Sequence, residues 1–572
     1  MREQFLEICS LIFFNFGHIS TDLNSIKNIR LLGVSEGSET VSFTHNLSDN
    51  CLKISTLFHK TLVLKEFGFE IEFDFPVVAW RNHDYTWVDC NNDRIANYFS
   101  PKILKLKDGT KVVAGSTEGI WHYKRGEVNK LYWNLVEPGL SPLFQYGESG
   151  IRNFLQIGRE FNGTLNLKLF ITKNEVMEWS RSIIPFSGIL CFTDHCDFDT
   201  LTLLKRQREL FRANNIRVTK GFFQYHFSKR EDNPSFEKPE EQEEYLNWLK
   251  DGHELAYHSL SQSKKKGNEP FDDFNKFRLK DAEVVTWIDH GYQPYNFTMI
   301  EANSDHINFQ GWIRHIKNKG IKYLWNYLDS GESAIGVINQ ISPESFHYQK
   351  AFSGKKNLLF LNKISERIRI FLFYYTNEKT LLKYRTLSSQ IKAFKSKKHL
   401  KKLLHIISLL IILSRKIISA LLPGKRAKVA IPDFATDSPC IFKIYQGTED
   451  EITLFQTIAV KDFVNTFSSK NLEELSKEGG LCIAHTYFSF LEAHHHGKMF
   501  LNKNGDISDE INDVIQNIGN YNKSNKVWNP TFKELAEHFE TLKDIEYEFD
   551  ETLNELRIKS KPETAKIPVR VI

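Results

Sequence analysis

From about residue 180 onward, short apolar runs alternate with longer stretches that carry a helical pattern of hydrophobic and polar positions. The apolar runs are ILCFT, RVTKGFFQ, HELAYHS, IKYLWNYL and GGLCIAHTYF. The helical stretches between them include TLTLLKRQRELFRANN, EEQEEYLNWLKDG and FNKFRLKDAEVVTWIDHG. Apolar runs separated by helical patterns of about 10–15 residues predict βα units around a parallel sheet or barrel. In such folds the functional residues lie on loops at the carboxyl ends of the strands.

Between residues 30 and 150 the pattern is different, because apolar and polar positions alternate in the manner of strands and turns are frequent. The segments ETVSFTH, LKISTLF, FEIEFDF and KILKLKDGTKVVAGSTEGIWHY have this pattern. Such alternation predicts strands, and KDGT and GSTEG are typical of hairpin connections. We therefore predict a mostly-β region, a sandwich or a curled sheet, without a catalytic constellation of its own.

The predicted organisation is an α/β chain in four parts. Residues 1–175 form the mostly-β domain, and residues 176–350 with 436–540 form a distorted (β/α) barrel. Residues 351–435 form a basic, amphipathic helical insertion, and residues 541–572 form a C-terminal hairpin or tail.

The predicted insertion contains a long segment of one charge. Between Lys379 and Lys428 there are 14 Lys or Arg residues and no Asp or Glu, and the apolar run LLHIISLLIILS lies inside this segment. A basic segment around an apolar helix suits an interfacial anchor on an anionic membrane leaflet. The alternatives are a helical hairpin packed on the barrel with solvated basic residues, and an RNA-binding patch. We expect an anionic membrane surface as a partner and no nucleic acid.

Composition adds little to this picture. The net charge of +4 does not by itself imply nucleic-acid binding, and the aromatic residues suffice for a large core or a sugar-stacking cleft. The 7 cysteines are scattered without a CxxC motif, which indicates free thiols in a reducing compartment. We interpret the apolar run within residues 1–20 as a local strand or helix rather than a secretory signal. The expected location is the cytoplasm, peripheral to the inner face of the membrane.

The stretch CFTDHCDFD, residues 191–199, places several potential ligands and proton carriers directly after a predicted strand. Asp194 ends the strand and could act as a general base or a metal ligand, although a helix N-cap or an ordinary loop acid is the alternative. His195 could bind a metal through a neutral imidazole. Asp197 could face the same side if the chain stays extended. Asp199, before the next helix, is more simply an N-cap.

Three more histidines follow apolar runs, at positions where strands or helices are expected to end. His258 is nearer than His253 to the end of the HELAYHS strand, so His253 is predicted to be structural. His290 lies in WIDHG at a predicted helix end, where it could bind a ligand or the terminal carbonyls. His485 ends LCIAH, where a general acid could face a substrate. The triplet at 494–496 is predicted to be an exposed helix C-terminus.

The order FTDH, GHELAYHS and GGLCIAHTYF resembles the polysaccharide deacetylase (NodB-homology) superfamily over about residues 180–345 and 435–540. The resemblance implies a distorted barrel with a catalytic aspartate at Asp194 and a metal ligand at His195. It also implies a metal-ligand histidine at His258 and a late general acid at His485. The chain departs from the family pattern at Gln262, where the family has a second histidine, and it has GYQPYNFT where an R-x-P-Y stretch is expected.

The resemblance implies a hydrolase that depends on a divalent metal, commonly zinc in this family. Such an enzyme removes an acyl group, typically N-acetyl, from an amino sugar of a surface polysaccharide or its precursor. Asp197 or His290 would complete the metal site, and Trp287 and Tyr292 are candidates for binding the sugar. Two alternatives stay open. One is a catalytically silent glycan-binding or assembly barrel, and the other is a glycosidic-bond hydrolase that uses Asp194 and Asp197 as paired carboxylates.

Overall fold

The computed structural model describes residues 25–34, 39–48, 50–90, 94–96, 99–124, 126–137, 143–147, 152–155, 157–279, 281–332, 338–342, 360–374, 376–396, 400–421, 440–446, 450–492, 497–550, 555–559 and 567–572. The N-terminal run predicted to be a local strand or helix, and the histidine triplet at 494–496, lie outside the described residues.

The N-terminal region contains two antiparallel sheets. The first contains β1 (Ile26–Leu32), β4 (Phe67–Phe73), β7 (Arg94–Ala96), β10 (Ile120–His122) and β11 (Lys130–Val136), in the order β1-β4-β11-β10-β7. The second contains β2 (Val41–Ser48), β3 (Cys51–Leu64), β5 (Val77–Arg81), β6 (Trp87–Asp89), β8 (Ile103–Leu106), β9 (Lys111–Ala114) and β14 (Arg159–Thr172), in the order β2-β3-β14-β9-β8-β5-β6.

The core between these sheets follows from period-two alternation. In β4, residues Phe67, Phe69, Ile71 and Phe73 are fully buried and belong to one hydrophobic cluster with residues of both sheets. The predicted mostly-β region is confirmed, and KDGT does connect a hairpin, because Lys105 of β8 pairs with Lys111 of β9. The prediction for GSTEG is wrong. That stretch connects β9 in one sheet to β10 in the other.

A parallel barrel follows. Its strands are β16 (Gly188–Asp194), β17 (Thr219–Phe222), β18 (Glu254–His258), β19 (Thr286–Ile288), β20 (Tyr323–Glu332), β22 (Asp450–Ala459) and β23 (Leu481–Thr486). Two more strands are attached outside, β21 (Ile441–Gln446) antiparallel to β22 and β24 (Val527–Trp528) parallel to β16. Removing these two from the nine-stranded sheet leaves seven strands, and pairing of β16 with β17 closes the ring.

Helices connect the barrel strands. They are α1 (Leu201–Ala213), α2 (Pro239–Lys250), α3 (Glu269–Lys276), α4 (Phe309–Asn318), α8 (Phe463–Thr466), α9 (Ser469–Lys477), α10 (Asp509–Lys523) and α11 (Phe532–Leu542). The predicted α/β barrel is therefore confirmed at this level. The expected helix that reaches WIDHG is wrong. The helix α3 ends at Lys276, and the β-branched and aromatic residues of VVTWI favour the strand β19 instead.

Shorter strands complete the described chain. The strands β12 (Leu143–Tyr146) and β13 (Arg152–Leu155) form a hairpin, as do β25 (Glu546–Asp550) and β26 (Glu555–Lys559). The strand β27 (Val569–Val571) pairs with β15 (Met177–Trp179), which lies between the sandwich and the barrel.

One buried arginine connects the sandwich to the barrel. The guanidinium of Arg181 donates to the hydroxyl of Ser100 over 2.6 Å and to the carbonyl of Gly479 over 3.0 Å, and it also contacts the carbonyl of His83. Because a buried guanidinium must satisfy its donors within the protein, these bonds hold the two regions in one arrangement.

The insertion between β20 and β21 contains three helices, α5 (Phe360–Tyr374), α6 (Glu378–Ser396) and α7 (Leu400–Leu421). Helix α7 packs on α6 through a stripe of buried residues, which are Ile406, Leu409 and Leu413, with Leu387 on the facing helix. Among the helices that the structure describes, none has the length and apolar character needed to cross a membrane.

Candidate metal centre

The carboxyl ends of the parallel strands meet at one end of the barrel, which we call the mouth. Asp194 is the last residue of β16, His258 is the last of β18, and His485 lies at the end of β23. Asp289 and His290 directly follow β19. The closed parallel sheet therefore brings together residues that are almost 300 positions apart in the sequence.

Asp194 is fully buried on the helix side of β16. Its Oδ1 accepts from the hydroxyl of Thr486 and from the backbone N–H of Phe488, each over 2.9 Å, and its Oδ2 forms an ion pair with Lys220. The ammonium of Lys220 lies 3.0 Å from Oε1 of Gln207 on α1 and 5.6 Å from the ring centre of Trp248 on α2. The side chain of Asp194 is thus directed toward the helix layer.

Lys220 also holds Asp199, whose Oδ2 lies 2.7 Å from the ammonium. Burial favours the neutral form of Lys220, but the carboxylates of Asp194 and Asp199 outweigh it and raise the pKa of this lysine. Burial raises the pKa of Asp194 to about 6, although the nearby ammonium opposes the shift. Asp199 is not the N-cap that we expected. The N-cap residue is Thr200, and the carboxylate of Asp199 instead forms an ion pair with Lys220.

Asp197, His258 and His290 form a compact cluster at the mouth. Oδ2 of Asp197 lies 2.9 Å from Nε2 of His258, and Oδ1 of the same carboxylate lies 3.0 Å from Nδ1 of His290. The two imidazole nitrogens are 3.1 Å apart. The backbone carbonyl of Gln262 accepts from Nε2 of His290 over 2.9 Å, which leaves Nδ1 as the nitrogen directed at the cluster.

His195 supplies a fourth potential ligand. Potential ligand atoms of His195, Asp197 and His258 all lie within 4.8 Å of one another. The ring of His195 stacks on the ring of His485, with centres 4.1 Å apart, and it meets the ring of Trp325 edge-on at 4.9 Å. Because successive side chains alternate between the two faces of a strand, His195 faces the mouth while Asp194 faces the helices.

His485 is held by a carboxylate that the sequence did not single out. Oδ1 of Asp329 lies 3.0 Å from Nδ1 of His485, and the hydroxyl of Thr457 donates to the same oxygen over 2.8 Å. Burial opposes ionisation of Asp329, but His485 and the hydroxyl outweigh it and lower the pKa of the carboxyl. The ionised carboxylate accepts a hydrogen bond, so Nδ1 of His485 carries a hydrogen.

The electrostatics of the cluster favour neutral imidazoles at His195 and His258 next to an ionised carboxylate at Asp197. Burial lowers the pKa of His195 well below its ordinary value and lowers the pKa of His258 to about 4. Burial opposes ionisation of Asp197, but His290 and His258 outweigh it and hold the pKa of this carboxyl well below its usual range. At His290, unlike at His195 and His258, the carboxylate of Asp197 outweighs the effect of burial and raises the pKa of the imidazole.

The residues present fit a divalent cation. Carboxylate oxygen and neutral imidazole nitrogen are good ligands for zinc and related ions, and ligand atoms around a tetrahedral zinc lie about 3.3 Å apart. The distances of 2.9–3.1 Å within the cluster are close to that value. In addition, Nδ1 of His195 is buried without a hydrogen-bond partner among the described residues. A buried nitrogen of this kind costs free energy unless a ligand occupies it.

The structure does not bring every predicted site residue to this cluster. Asp194 lies on the other side of β16, so its role as a general base stays a prediction. Trp287 is fully buried in the hydrophobic core, where its indole N–H donates to Asp289 over 2.8 Å. Tyr292 is 55% exposed and meets the ring of Tyr146 with centres 5.2 Å apart. The side chain of Gln262 is bound by the hydroxyl of Ser228.

Sequence reasoning missed Asp329, Trp325 and Lys220. Asp329 lies in β20, after a register shift between Trp325 and Asp329 in its pairing with β22. Asp329 follows IKYLWNYL, the segment that we predicted as a strand, so the rule that placed the other residues at strand ends could have found it. No sequence signal indicated Lys220, because its partners come from other elements.

No family model matches the sequence, and no curated protein sequence matches it. Among solved structures, a beta-arabinopyranosidase matches with 8% identity and a TM-score of 0.26, over 53% of this chain and 57% of that chain. An alpha-galactosidase from Thermus thermophilus in complex with stachyose matches with 10% identity and a TM-score of 0.22, over 57% and 72%. The alpha-N-acetylgalactosaminidase NagBb from Bifidobacterium bifidum, as a quadruple mutant, matches with 10% identity and a TM-score of 0.21, over 52% and 64%. Likenesses this weak carry no argument about function.

Proposed function

We propose that the protein is a metal-dependent hydrolase that acts on a carbohydrate at the mouth of the barrel. The convergence of Asp197, His258 and His290, with ligand atoms 2.9–3.1 Å apart, is the observation that carries this proposal. His195 is the fourth candidate ligand. A divalent ion bound there would supply Lewis-acid polarisation of a substrate oxygen and a lowered pKa for bound water.

The residues around the cluster have distinct roles in the proposal. Asp329 holds Nδ1–H of His485, so a proton transferred to a leaving group would be held at Nε2 of that imidazole. Trp325 and the ring of His195 border His485 and limit the access of water to it. In place of the predicted role as general base, the proposal assigns to Asp194 the positioning of the end of β16 through Lys220 and Thr486.

Removal of an acyl group from an amino sugar is the preferred reaction. The resemblance to polysaccharide deacetylases supports it, and so does the pairing of a metal cluster with a histidine that a carboxylate orients. In that reaction water adds to the acyl carbon and gives a proton to Nε2 of His485, the amide bond breaks, and the same imidazole returns that proton to the departing amine. We propose zinc as the ion, since a ligand set of one carboxylate and several imidazoles suits it.

A glycosidic-bond hydrolase is the second candidate, with a carboxylate pair that differs from the one we expected. Asp194 is completely buried, whereas the side chains of Asp197 and Asp329 keep 12% and 19% of their surface exposed. These two could serve as the pair of carboxyl groups that such hydrolysis requires. Both carboxylates contact imidazoles, which is unusual for a nucleophile that must reach a sugar.

One assay separates the candidates. The purified chain, loaded with zinc, would be incubated with N-acetylated oligosaccharides while released acetate and new reducing ends are both measured. The proposal predicts acetate without new reducing ends, and a loss of about 100-fold or more in kcat for His485→Gln with metal content retained. New reducing ends would favour the second candidate. Binding of the oligosaccharide without either product would support a silent glycan-binding barrel.

A further inference from the structure

Helix α7 of the insertion exposes an unusual amount of apolar surface. Of the 20 large hydrophobic residues that are exposed in the described chain, six lie on this one helix. They are Leu404, Ile407, Leu410, Ile411, Ile412 and Ile418. Positions 404, 407, 411 and 418 are separated by three, four and seven residues, so they follow one face of the helix.

The opposite face of α7 already has a partner. Ile406, Leu409 and Leu413 are buried against Leu387 of α6. The exposed isoleucines and leucines are therefore a second apolar face rather than the edge of the same contact. A contiguous exposed patch of this kind marks an interaction surface in a folded protein.

Basic residues border this second face. Arg415 and Lys416 are exposed on α7, and Lys379, Lys383 and Arg385 are exposed on α6. The sequence has 14 Lys or Arg residues and no Asp or Glu from Lys379 to Lys428. Whatever binds this face must therefore combine an apolar layer with negative charge next to it.

We propose that the face of α7 formed by Leu404, Ile407, Ile411 and Ile418 docks the protein on an anionic lipid surface. A leaflet with acidic headgroups presents hydrocarbon beneath a layer of negative charge, which matches apolar residues bordered by lysine and arginine. A second copy of the chain would place two like-charged basic segments against each other. Nucleic acid offers negative charge, but it has no apolar layer for four branched aliphatic side chains.

The docking face is connected to the barrel mouth. Glu378, the first residue of α6, forms an ion pair with Arg152 of β13. Tyr146 of the same hairpin meets the rings of Tyr292 and Tyr327 with centres 5.2 and 6.0 Å apart. The insertion that carries α7 is therefore held on a hairpin that contacts tyrosines near the mouth. The docking proposal does not depend on the proposed hydrolase function.

Co-sedimentation of the full chain with vesicles tests the proposal. The vesicles would contain phosphatidylcholine alone or phosphatidylcholine and phosphatidylglycerol in equal parts. We expect binding to the acidic vesicles that weakens with added salt, and weak binding to the neutral ones. The double variant Arg415→Ser/Lys416→Ser should bind acidic vesicles about 25-fold less tightly, because each basic residue near the surface contributes about fivefold. Lys470→Ser/Lys477→Ser on α9, which removes two exposed lysines elsewhere, should bind as the parent does.

The apolar face has its own matched pair of variants. Leu404 and Val63 are both 64% exposed, but Val63 lies on β3 of the sandwich. Leu404→Ser combined with Ile411→Ser should reduce vesicle binding about tenfold or more, while Val63→Ser should not change it. Thermal unfolding of each variant would show that the fold is retained.

Three results would overturn the proposal. The first is that the parent protein does not bind acidic vesicles at low salt. The second is equal vesicle binding by the Leu404→Ser/Ile411→Ser variant and the parent. The third is a dimer in sedimentation velocity that the same variant dissociates, without vesicle binding, because a second copy of the chain would then be the partner of this face.

Discussion

Lys220 neutralises the two buried carboxylates on the helix side of β16. It is fully buried and forms ion pairs with Asp194 and Asp199, which are also inaccessible to solvent. Removing the ammonium leaves two uncompensated carboxylates in the protein interior. Lys220→Met should therefore lower the free energy of unfolding by about 3–5 kcal/mol at neutral pH, as measured by urea denaturation.

Acid should partly rescue the Lys220→Met variant. Without the ammonium, the pKa of Asp194 rises further above its value in the unfolded chain, so the folded state binds more protons as the pH falls. The stability deficit should thus shrink toward pH 5. Lys205→Met, which removes a surface partner of Glu240, should change stability by less than about 0.5 kcal/mol. A deficit for Lys220→Met as small as this control would contradict the structural role of the ion triad.

A second buried lysine, Lys102, makes the free energy of unfolding rise with pH above neutrality. Lys102 is 2% exposed and donates to the carbonyl of Thr117 over 2.7 Å. Burial lowers the pKa of Lys102 to about 7, although Glu118 opposes the shift. Between about pH 7 and 10.5 the unfolded chain binds more protons at this lysine, so its contribution to stability rises with pH.

Comparison with Lys102→Met isolates this effect, because other titrating groups are shared by both proteins. The difference in unfolding free energy between the parent and the variant should move in favour of the parent by roughly 2 kcal/mol from pH 7 to pH 9. Chemical denaturation at the two pH values measures it. A difference that stays constant with pH would mean that Lys102 is charged in the folded protein.

At the residue scale, the sequence indicated which side chains follow strands but not which way they point. Asp194, His195 and Asp197 were all expected near the site, and the structure brings His195 and Asp197 to the mouth. Asp194 faces the helices because Lys220, which comes from the next strand, is its partner. A contact between elements of this kind cannot be derived from local pattern.

At the scale of elements, the closeness of the strands at the mouth depends on Gly221 of β17. A Cβ at this position would lie 2.9 Å from the backbone oxygen of Asp194 and 3.4 Å from Cβ of His258. Gly221→Ala must therefore push apart the ends of β16 and β18, which carry the cluster. We expect metal affinity to fall about 10–100-fold while the protein stays folded.

Calorimetric titration of zinc into the metal-free protein measures this loss. Gly311→Ala in α4 is the control, because its added Cβ would approach the side chain of Asn308 and this position lies outside the cluster. It should bind zinc as the parent does. If Gly221→Ala also bound zinc with unchanged affinity, the separation of these two strands would not determine the geometry of the site.

Several elements could be predicted because their patterns are strong. The strands β16, β17, β18, β20 and β23 correspond to apolar runs in the sequence. The strand β19 has only three residues, and the helical pattern before it continues into these residues. The sequence pattern therefore predicted a helix where the structure has a strand. That error placed His290 at a helix end, although the structure puts it directly after a barrel strand.

At the scale of the whole molecule, the geometry of the proposed site depends on closure of the barrel. The candidate ligands come from the loops after β16 and β19 and from the end of β18, and the histidine that Asp329 orients comes from β23. Pairing of β16 with β17 completes the ring that holds these strand ends together. The sequence pattern predicted five of the seven barrel strands and their order along the chain, but it missed β22 and took β19 as part of a helix. The register that aligns the strand ends is a property of the closed sheet.

Metal content of the purified full-length chain is the most direct test of the metal centre. After incubation with zinc and removal of the excess, elemental analysis should find about one zinc ion per chain, and His258→Ala should retain almost none. His306→Ala, which removes a histidine that stacks on Phe271 outside the cluster, should retain the parent amount. Circular dichroism would confirm that both variants are folded. No bound metal in the parent protein, or an unchanged amount in folded His258→Ala, would contradict the proposed centre.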